Sequence, residues 1–218
     1  MGVGRGRSAG GTRRSVFEPS SQHGDVDKKI VASLERLSQV FRVLLRGEAQ
    51  GYGLSPIQAL FLVHLLHHGP VLRRVSQLAR EFDLTRATVS DAVGSLEEKG
   101  LIRREPWPHD MRVTTLCLTP AGEYTTRELA AWANVVEEHL TGRSPEEKEV
   151  VMRFLMDLIG SLQKSSMISV ARMCVTCRFF RPDAHPGEDS SHHCGLLDVP
   201  LAGSELRTDC PEHELAAS

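Results

Sequence analysis

Apolar residues in the first part of the chain recur at the spacing of a helix. From Asp25 onward, successive apolar positions lie four, three, four and three residues apart. Because an α-helix has about 3.6 residues per turn, this spacing gathers them on one side. The positions on this stripe are Ile30, Leu34, Leu37, Phe41 and Leu44. The pattern predicts a long amphipathic helix whose apolar seam needs a partner.

Two tetrapeptides carry the residues that start helices. Ser55-Pro56-Ile57-Gln58 and Ser144-Pro145-Glu146-Glu147 each combine an N-cap serine, a proline at the first helical position and a Gln or Glu that completes a capping box. The first predicts a helix over residues 56–67, and the second predicts the final helix. Between them, Thr119-Pro120 predicts another helix, which includes four apolar positions on one side: Leu129, Trp132, Val136 and Leu140.

The stretch from Val75 to Ile102 predicts two short helices separated by a break at Phe82-Asp83-Leu84. Thr85 is the predicted N-cap of the second helix, and Gly100 is its predicted end. Val89, Val93 and Leu96 form the buried stripe of this second helix. Its opposite face is polar and suited to hydrogen bonding with DNA, and together with Thr85 it supplies these candidate DNA contacts: Arg86, Thr88, Ser90, Asp91 and Ser95.

A hairpin is predicted immediately after Gly100. Residues 101–105 and 113–118 alternate as strands, and the proline-rich segment 106–111 is predicted to be a long, stiff loop. Arg103 and Arg104 lie at the base of this hairpin, where we expect at least one of them to contact a DNA phosphate. The element order is therefore four helices, a hairpin and two helices.

The segment from Val75 to Glu123 resembles the MarR family of winged-helix regulators. The likeness combines a helix-turn-helix with a wing that bears Asp-x-Arg and a following Leu-Thr-x-x-Gly. The residues that carry it are Leu78-Ala79, Thr88-Val89-Ser90, the run from Leu96 to Arg104, Asp110-Met111-Arg112 and the run from Leu118 to Gly122. With the flanking helices included, the resemblance covers roughly residues 28–163.

The resemblance implies a mainly α fold with a small β-hairpin wing: a winged helix-turn-helix with a helical dimerisation domain. It implies a homodimer on double-stranded operator DNA, with the helix from Arg86 to Lys99 in the major groove and the wing in the minor groove. By the same likeness, Arg112 reaches the DNA and Asp110 braces the wing. Regulators of this shape are most often repressors, and the pattern does not distinguish those with a small-molecule effector from those without one.

Composition and its changes along the chain predict where the protein is located and how the chain divides into three regions. The chain has 218 residues, 40% hydrophobic content and a net charge of −2. This net charge neither favours nor opposes DNA binding. It contains no apolar run long enough for a membrane span and no secretory signal, which predicts a cytoplasmic protein. We expect a disordered basic arm over residues 1–24, a winged-helix domain over 25–164 with dimerisation helices at 25–50 and 120–164, and an irregular cysteine-rich tail over 165–218.

Four of the five cysteines lie in that tail: Cys174, Cys177, Cys194 and Cys210. Four thiolates, two of them from one Cys-x-x-Cys turn, complete either a tetrahedral zinc site or the ligand set of an iron–sulfur cluster. The isolated third and fourth cysteines and the Cys210-Pro211 pair favour the cluster. Cys117 lies on a predicted wing strand, where we expect a small buried hydrophobe.

Three functions are compatible with these patterns. The leading prediction is a regulator whose cluster senses redox state, oxygen or iron, and the alternative is the same regulator with a structural zinc knuckle that serves as a protein-interaction module. A redox enzyme with an electron-transfer cluster is the third. The chain contains no nucleotide fingerprint, nucleophile elbow or convergent carboxylate pair, so we predict that it is not an enzyme.

Overall fold

The computed structural model describes residues 15–107 and 110–216. Its helices are α1 (Val26–Gly51), α2 (Pro56–His67), α3 (Val75–Glu81), α4 (Arg86–Glu98), α5 (Pro120–Leu129), α6 (Asn134–Glu138) and α7 (Pro145–Lys164). Its strands are β1 (Ile102–Trp107), β2 (Asp110–Leu118), β3 (Phe180–Arg181), β4 (His192–Cys194) and β5 (Val199–Leu201). The predicted order of four helices followed by a hairpin is confirmed, but three α-helices, instead of the predicted two, follow the hairpin among the described residues.

Helix α2 lies at the centre of the main core. It is apolar on nearly all sides, so neighbours must cover it all round, and Phe61, Leu62 and Leu65 are fully buried. Burying each of these side chains contributes about 1.5–3 kcal/mol. The predicted capping box begins the helix: the Gln58 amide donates to Ser55 Oγ (3.4 Å), and the Ser55 amide donates to Gln58 Oε1 (3.1 Å).

Helices α3 and α4 form the helix-turn-helix, and β1 and β2 form the wing. The strands are antiparallel and remain paired from Ile102↔Leu118 to Trp107↔Asp110, with an irregularity between Pro106 and Trp107. The prediction of a long loop over 106–111 was therefore wrong, because strand pairing continues almost to the tip. The chain tolerates a proline here because the wing has only two strands, so each strand has an unpaired edge.

The predicted continuous helix after Thr119 is interrupted. Helix α5 ends at Leu129, a 3-10 turn covers Ala130–Ala133, and the short α6 follows. Within that turn Trp132 packs edge-on against Phe41 of α1, with ring centroids 5.9 Å apart. The local spacing of apolar residues predicted one continuous helix. The structure instead has a break at the turn where Trp132 packs against α1.

The tail differs from the predicted irregular segment. Strands β3, β4 and β5 form a small antiparallel sheet in that order. Met173 and Leu206 of the tail bury themselves with Met156 of α7, forming a second core separate from the main one. The tail is thus built onto α7 and has a defined fold of its own.

The segment expected to be a disordered arm is described only from Ser15. Residues 1–14, which include the four arginines of that arm, lie outside the described residues. In the described part the 3-10 turn Pro19–Gln22 precedes α1, and the Ser21 hydroxyl donates to the carbonyls of Ser15 (2.6 Å) and Glu18 (2.8 Å). This part departs from the expectation of disorder.

Among the described residues, none of the helices combines the length and the apolar character needed to cross a bilayer.

Candidate nucleic-acid interface and cysteine tail

The outward face of α4 is polar and open. Thr85 caps the helix by accepting a hydrogen bond from the Thr88 amide (3.1 Å), and its hydroxyl also contacts the Thr88 hydroxyl (2.9 Å). The candidate residues Arg86, Thr88, Ser90 and Asp91 are exposed, and Ser95 is half-buried. Within the described residues no ion pair joins Asp91 to Arg86, so both charges remain available on this face.

The wing presents Arg112 near its tip. Its guanidinium makes no ion pair with any described residue and is exposed to solvent. Asp110 accepts a hydrogen bond from the Arg112 backbone amide (3.0 Å), so this carboxylate contacts the main chain of the wing. A free cation on a narrow hairpin has the size and charge needed to enter a minor groove.

The two arginines at the base of the wing are already paired. Arg103 Nε contacts Glu105 Oε1 at 2.7 Å, and its Nη1 donates to the Leu118 carbonyl (3.2 Å). Arg104 Nε contacts Glu97 Oε2 of α4 at 3.0 Å, which ties the wing to the second helix. Both side chains are exposed, but each would have to share its charge between a carboxylate and any phosphate.

A polar crevice lies between α3 and α4, and sequence reasoning did not assign it. It measures about 510 Å³ and is lined on the α3 side by Ser76, Gln77 and Arg80, and on the α4 side by Arg86. The signal that points to it is the polar first turn of α3, which in a helix-turn-helix lies beside the DNA backbone. Ser76, Gln77 and Arg80 therefore join the candidate contacts.

The residues of the Lys-Gly-Leu run and of the Leu-Thr-x-x-Gly motif join α4 to the wing. Lys99 Nζ donates to the Gly53 carbonyl (2.7 Å) and to Gln58 Oε1 (3.1 Å), which fixes the end of α4. Thr119 donates through its hydroxyl to the Gly100 carbonyl (2.6 Å) and through its amide to the Leu101 carbonyl (3.0 Å). These contacts set the angle between α4 and the wing.

A further contact holds the wing against α3. The Arg74 guanidinium, at the start of α3, lies 5.3 Å from the centre of the Trp107 ring. The Leu116 amide donates to the Arg73 carbonyl (2.7 Å), so the wing is attached to the segment before α3 at both its base and its outer part. Sequence analysis placed Trp107 in a predicted loop and gave no sign of its contact with Arg74.

The tail brings its four cysteines to neighbouring strands and turns. Cys174 and Cys177 form one turn, in which the Cys177 amide donates to the Cys174 carbonyl (2.9 Å). Cys194 pairs with Phe180, three residues beyond Cys177, in the sheet. The Cys210 amide donates to the Arg172 carbonyl (2.8 Å), two residues before Cys174.

The thiols influence one another although they do not form a ready metal site. Burial raises the pKa of the Cys174 thiol, a hydrogen bond from the Arg207 amide (3.2 Å) opposes this, and the thiols of Cys210, Cys177 and Cys194 raise the pKa again. In the part of the chain that the structure describes, no three His, Cys, Asp or Glu side chains stand in metal-binding geometry. The described residues therefore do not show the predicted four-cysteine metal site.

Cys117 lies apart from this group, on β2. Its thiol contacts Glu105 Oε2 at 3.2 Å and is half-buried. Burial and the Glu105 carboxylate both raise the pKa of this thiol, which keeps it protonated and unreactive.

The helix-turn-helix, the paired wing and the open polar face of α4 define a winged helix-turn-helix protein. Comparison with known proteins gives the same class. A family model described as MarR family matches residues 52–112. The transcriptional regulator PA3341 is 26% identical, with a TM-score of 0.55 over 62% of this chain and 98% of that one. A probable transcriptional regulator from Pseudomonas aeruginosa is 32% identical over 61% of this chain and 98% of its own, with a TM-score of 0.48.

A DNA complex of MepR from S. aureus shares the fold at 22% identity, with a TM-score of 0.53 over 61% of this chain and 97% of that one. Residues 52–112 therefore carry the winged helix-turn-helix of the MarR family of transcriptional regulators. Members of this family are not enzymes, which confirms that prediction. The matched structures span about three-fifths of the chain, so a large part of it lies outside the shared fold.

Proposed function

We propose that this protein binds operator DNA as a cytoplasmic homodimer and represses transcription from the promoter it occupies. The observation that carries this proposal is the joint presentation of an open polar face on α4 and of an exposed Arg112 on the wing, which makes no ion pair with any residue that the structure describes. One fixed joint at Lys99 and Thr119 holds these two elements. The relative MepR was crystallised with DNA, which supports the same use of the fold here.

Two helices supply the surface for a dimer. Helices α1 and α7 each expose large apolar side chains that a single chain leaves uncovered. On α1 these include Val31, Leu37, Val40 and Val43, and on α7 they include Val150, Val151, Phe154 and Leu162. Exposed apolar surface on this scale is typical of an interface between subunits. Two copies joined through these helices would place two α4 helices about one turn of DNA apart.

The test is a binding assay with fragments of the chain's own promoter region. Fluorescence anisotropy should give saturable binding at one or a few palindromic sites, and light scattering should give twice the chain mass. Arg112→Ala should weaken binding, whereas Arg143→Ala, in the loop before α7, is the matched control for loss of one positive charge. A protein that is monomeric, or that binds every fragment equally, would exclude a sequence-specific dimer.

The tail is proposed to hold a four-cysteine centre that tunes this DNA binding, through Cys174, Cys177, Cys194 and Cys210. Three features support it: the Cys-x-x-Cys turn, the backbone pairing that gathers the four cysteines, and the Arg207 amide directed at Cys174 Sγ. Amide-to-sulfur hydrogen bonds of this kind stabilise metal-bound thiolates. Because the pKa of the Cys174 thiol is raised, thiolates here need a cation to offset their charge.

An iron–sulfur cluster is the preferred occupant. The side chain of Arg207 approaches Cys210 Sγ at 3.7 Å, so a second hydrogen bond and a positive charge reach the same site. Donors and charges near the sulfurs set the reduction potential of such clusters. This arrangement suits a centre that senses redox state, oxygen or iron. Zinc is the alternative, and it would make the tail a structural module.

Anaerobic purification followed by absorption spectroscopy and metal analysis separates these occupants. A cluster gives visible charge-transfer absorption with stoichiometric iron and sulfide, and zinc gives a colourless protein. Cys194→Ser should lose the metal, and Cys117→Ser, which changes the one cysteine outside the tail, should keep it. If both variants and the wild type contain no stoichiometric metal, the four-cysteine centre is refuted while the DNA-binding proposal stands.

A further inference from the structure

The tail contacts the helix-turn-helix at two points outside the cysteine turn. The Ser169 amide donates to both carboxylate oxygens of Asp83 (3.1 and 3.3 Å), in the turn between α3 and α4. Arg172 forms a two-pronged ion pair with Glu81, the last residue of α3, with Nη1–Oε2 at 2.6 Å and Nη2–Oε1 at 3.0 Å. These residues are separated by 86 and 91 positions in the sequence.

Arg172 is held from the tail side as well. Its Nε donates to Asp209 Oδ1 (2.8 Å), and its carbonyl accepts the amide hydrogen bond of Cys210. The side chain is only 11% exposed, and all three guanidinium nitrogens contact the carboxylates of Glu81 or Asp209. A planar guanidinium can serve two carboxylates in fixed directions at once, which a lysine ammonium cannot.

The same cluster reaches the end of α2. Asp209 Oδ2 lies 2.7 Å from His68 Nε2, and His68 Nδ1 lies 2.9 Å from the His64 carbonyl. The backbone before Cys174 and before Cys210 is therefore connected, through Arg172 and Asp209, to the ends of both α2 and α3. A change in how the tail folds around its cysteines would move these contacts first.

We infer that Arg172 is a positioning residue that makes operator affinity depend on the folded state of the cysteine tail. This inference rests on the proposed function of DNA binding. With the tail in place, Arg172 neutralises the charge of Glu81, and the Ser169 amide donates hydrogen bonds to the Asp83 carboxylate. When the tail leaves, both carboxylates lose these partners. Asp83 lines the crevice that holds Arg80 and Arg86, where it competes with DNA phosphates for these arginines, and Glu81 adds a second negative charge at the end of α3 that repels the DNA backbone.

The consequence is a defined direction of regulation. A docked tail favours DNA binding, and a released tail weakens it through two uncompensated negative charges and a less fixed α3. Coupling between two sites in one protein commonly changes affinity by roughly 5- to 150-fold. We therefore expect loss of the Arg172 contacts to weaken operator binding by about tenfold or more.

The test compares full-length Arg172→Met with Arg172→Lys and with the control Arg178→Met. Arg178 lies in the same tail, where its guanidinium pairs with Glu214 on the surface (2.8 Å) and lies 4.6 Å from the centre of the Phe179 ring, so its loss removes a similar side chain without touching the helix-turn-helix. Operator affinity should fall in Arg172→Met, fall less in Arg172→Lys and stay unchanged in Arg178→Met. Hydrogen exchange should become faster over residues 75–86 in Arg172→Met alone.

A rescue separates charge coupling from simple loss of stability. If the unpaired carboxylate causes the loss, adding Glu81→Gln to Arg172→Met should restore much of the operator affinity. A merely structural role would give no such rescue. Provided that the wild type binds its operator, three results would each overturn the inference and leave the proposed function intact. These are equal operator affinities of Arg172→Met and Arg178→Met, tighter binding by Arg172→Met, and failure of Glu81→Gln to restore affinity. A wild type that binds no promoter DNA would overturn both.

Discussion

Gly122, in the Leu-Thr-x-x-Gly motif, packs directly against the backbone that enters the wing. A Cβ added at this position would lie 1.8 Å from the Leu101 carbonyl oxygen and 2.7 Å from its carbonyl carbon. Both partners are main-chain atoms, so neither can rotate away as a side chain would. To reach 3.0 Å, α5 and the start of β1 would have to separate by about 1.2 Å. Gly122→Ala should therefore destabilise the fold.

The magnitude follows from two contributions. Forcing extra volume into a packed site costs about 1–3 kcal/mol. The same displacement stretches the hydrogen bond from the Thr119 amide to the Leu101 carbonyl (3.0 Å), whose loss costs about 1 kcal/mol. We expect the free energy of unfolding to fall by about 2–4 kcal/mol, which corresponds to a decrease in Tm of roughly 5–15 °C for a chain of this size.

The assay is thermal unfolding without DNA, at one protein concentration because dimerisation contributes to Tm. Gly94→Ala in α4 is the matched control, since no heavy atom lies within 4 Å of a Cβ added there. Alanine is the better helix former in a helix interior, so this control should raise stability by about 0.5–1 kcal/mol. A Gly122→Ala protein whose Tm falls by less than about 2 °C would show that the backbone contact is not rigid, and the explanation would be wrong.

Three further predictions concern DNA binding and pH. Arg112→Ala should lower operator affinity and reduce the slope of log Kd against log salt concentration by about one, measured by anisotropy across a salt series; an unchanged slope would exclude a phosphate contact. Trp107→Ala should weaken operator binding about fivefold and Trp107→Phe less, because the ring stacks with Arg74 and such contacts contribute about 1 kcal/mol; equal affinities would count against this positioning role. Burial and the neighbouring His68 lower the pKa of His64 from 6.5 to about 4, so the folded state favours the neutral imidazole. The contribution of His64 to stability is therefore fully present above pH 6.5, and the free energy of unfolding should fall by about 3 kcal/mol as the pH drops towards 4. Urea unfolding of His64→Gln should lack this part of the pH dependence, and a wild-type curve that coincides with the variant's would refute the assignment.

Local patterns predicted the helices that begin with strong caps. Ser144 accepts from the Glu147 amide (3.2 Å) and Glu147 accepts from the Ser144 amide (3.1 Å), as the capping-box sequence indicated for α7. The N-cap role predicted for Thr85 is present as well. These elements are predictable because their hydrogen bonds join residues three positions apart, and the sequence contains both partners in one short window.

Contacts between distant segments could not be predicted in this way. The break after Leu129 accompanies the packing of Trp132 on Phe41, a residue from another helix. The pairing of Arg172 with Glu81 joins the tail to α3, and neither residue lies in a pattern that names the other. For the same reason, the spacing of the four cysteines predicted a shared site but gave no indication of which surface the tail covers.

The residues at the joint between α4 and the wing are different from those on the exposed face of α4 that would select an operator. Lys99, Thr119 and Gly122 make backbone contacts at the joint between α4 and the wing, and they fix how the two elements are presented. The exposed face of α4, from Arg86 to Ser95, contributes little to that joint and is free to vary. Because sequence readout requires side chains that reach base edges, exchanging this face should change the preferred operator with little effect on Tm. The joint therefore fixes the geometry of recognition, and the operator sequence depends on the exposed face of α4.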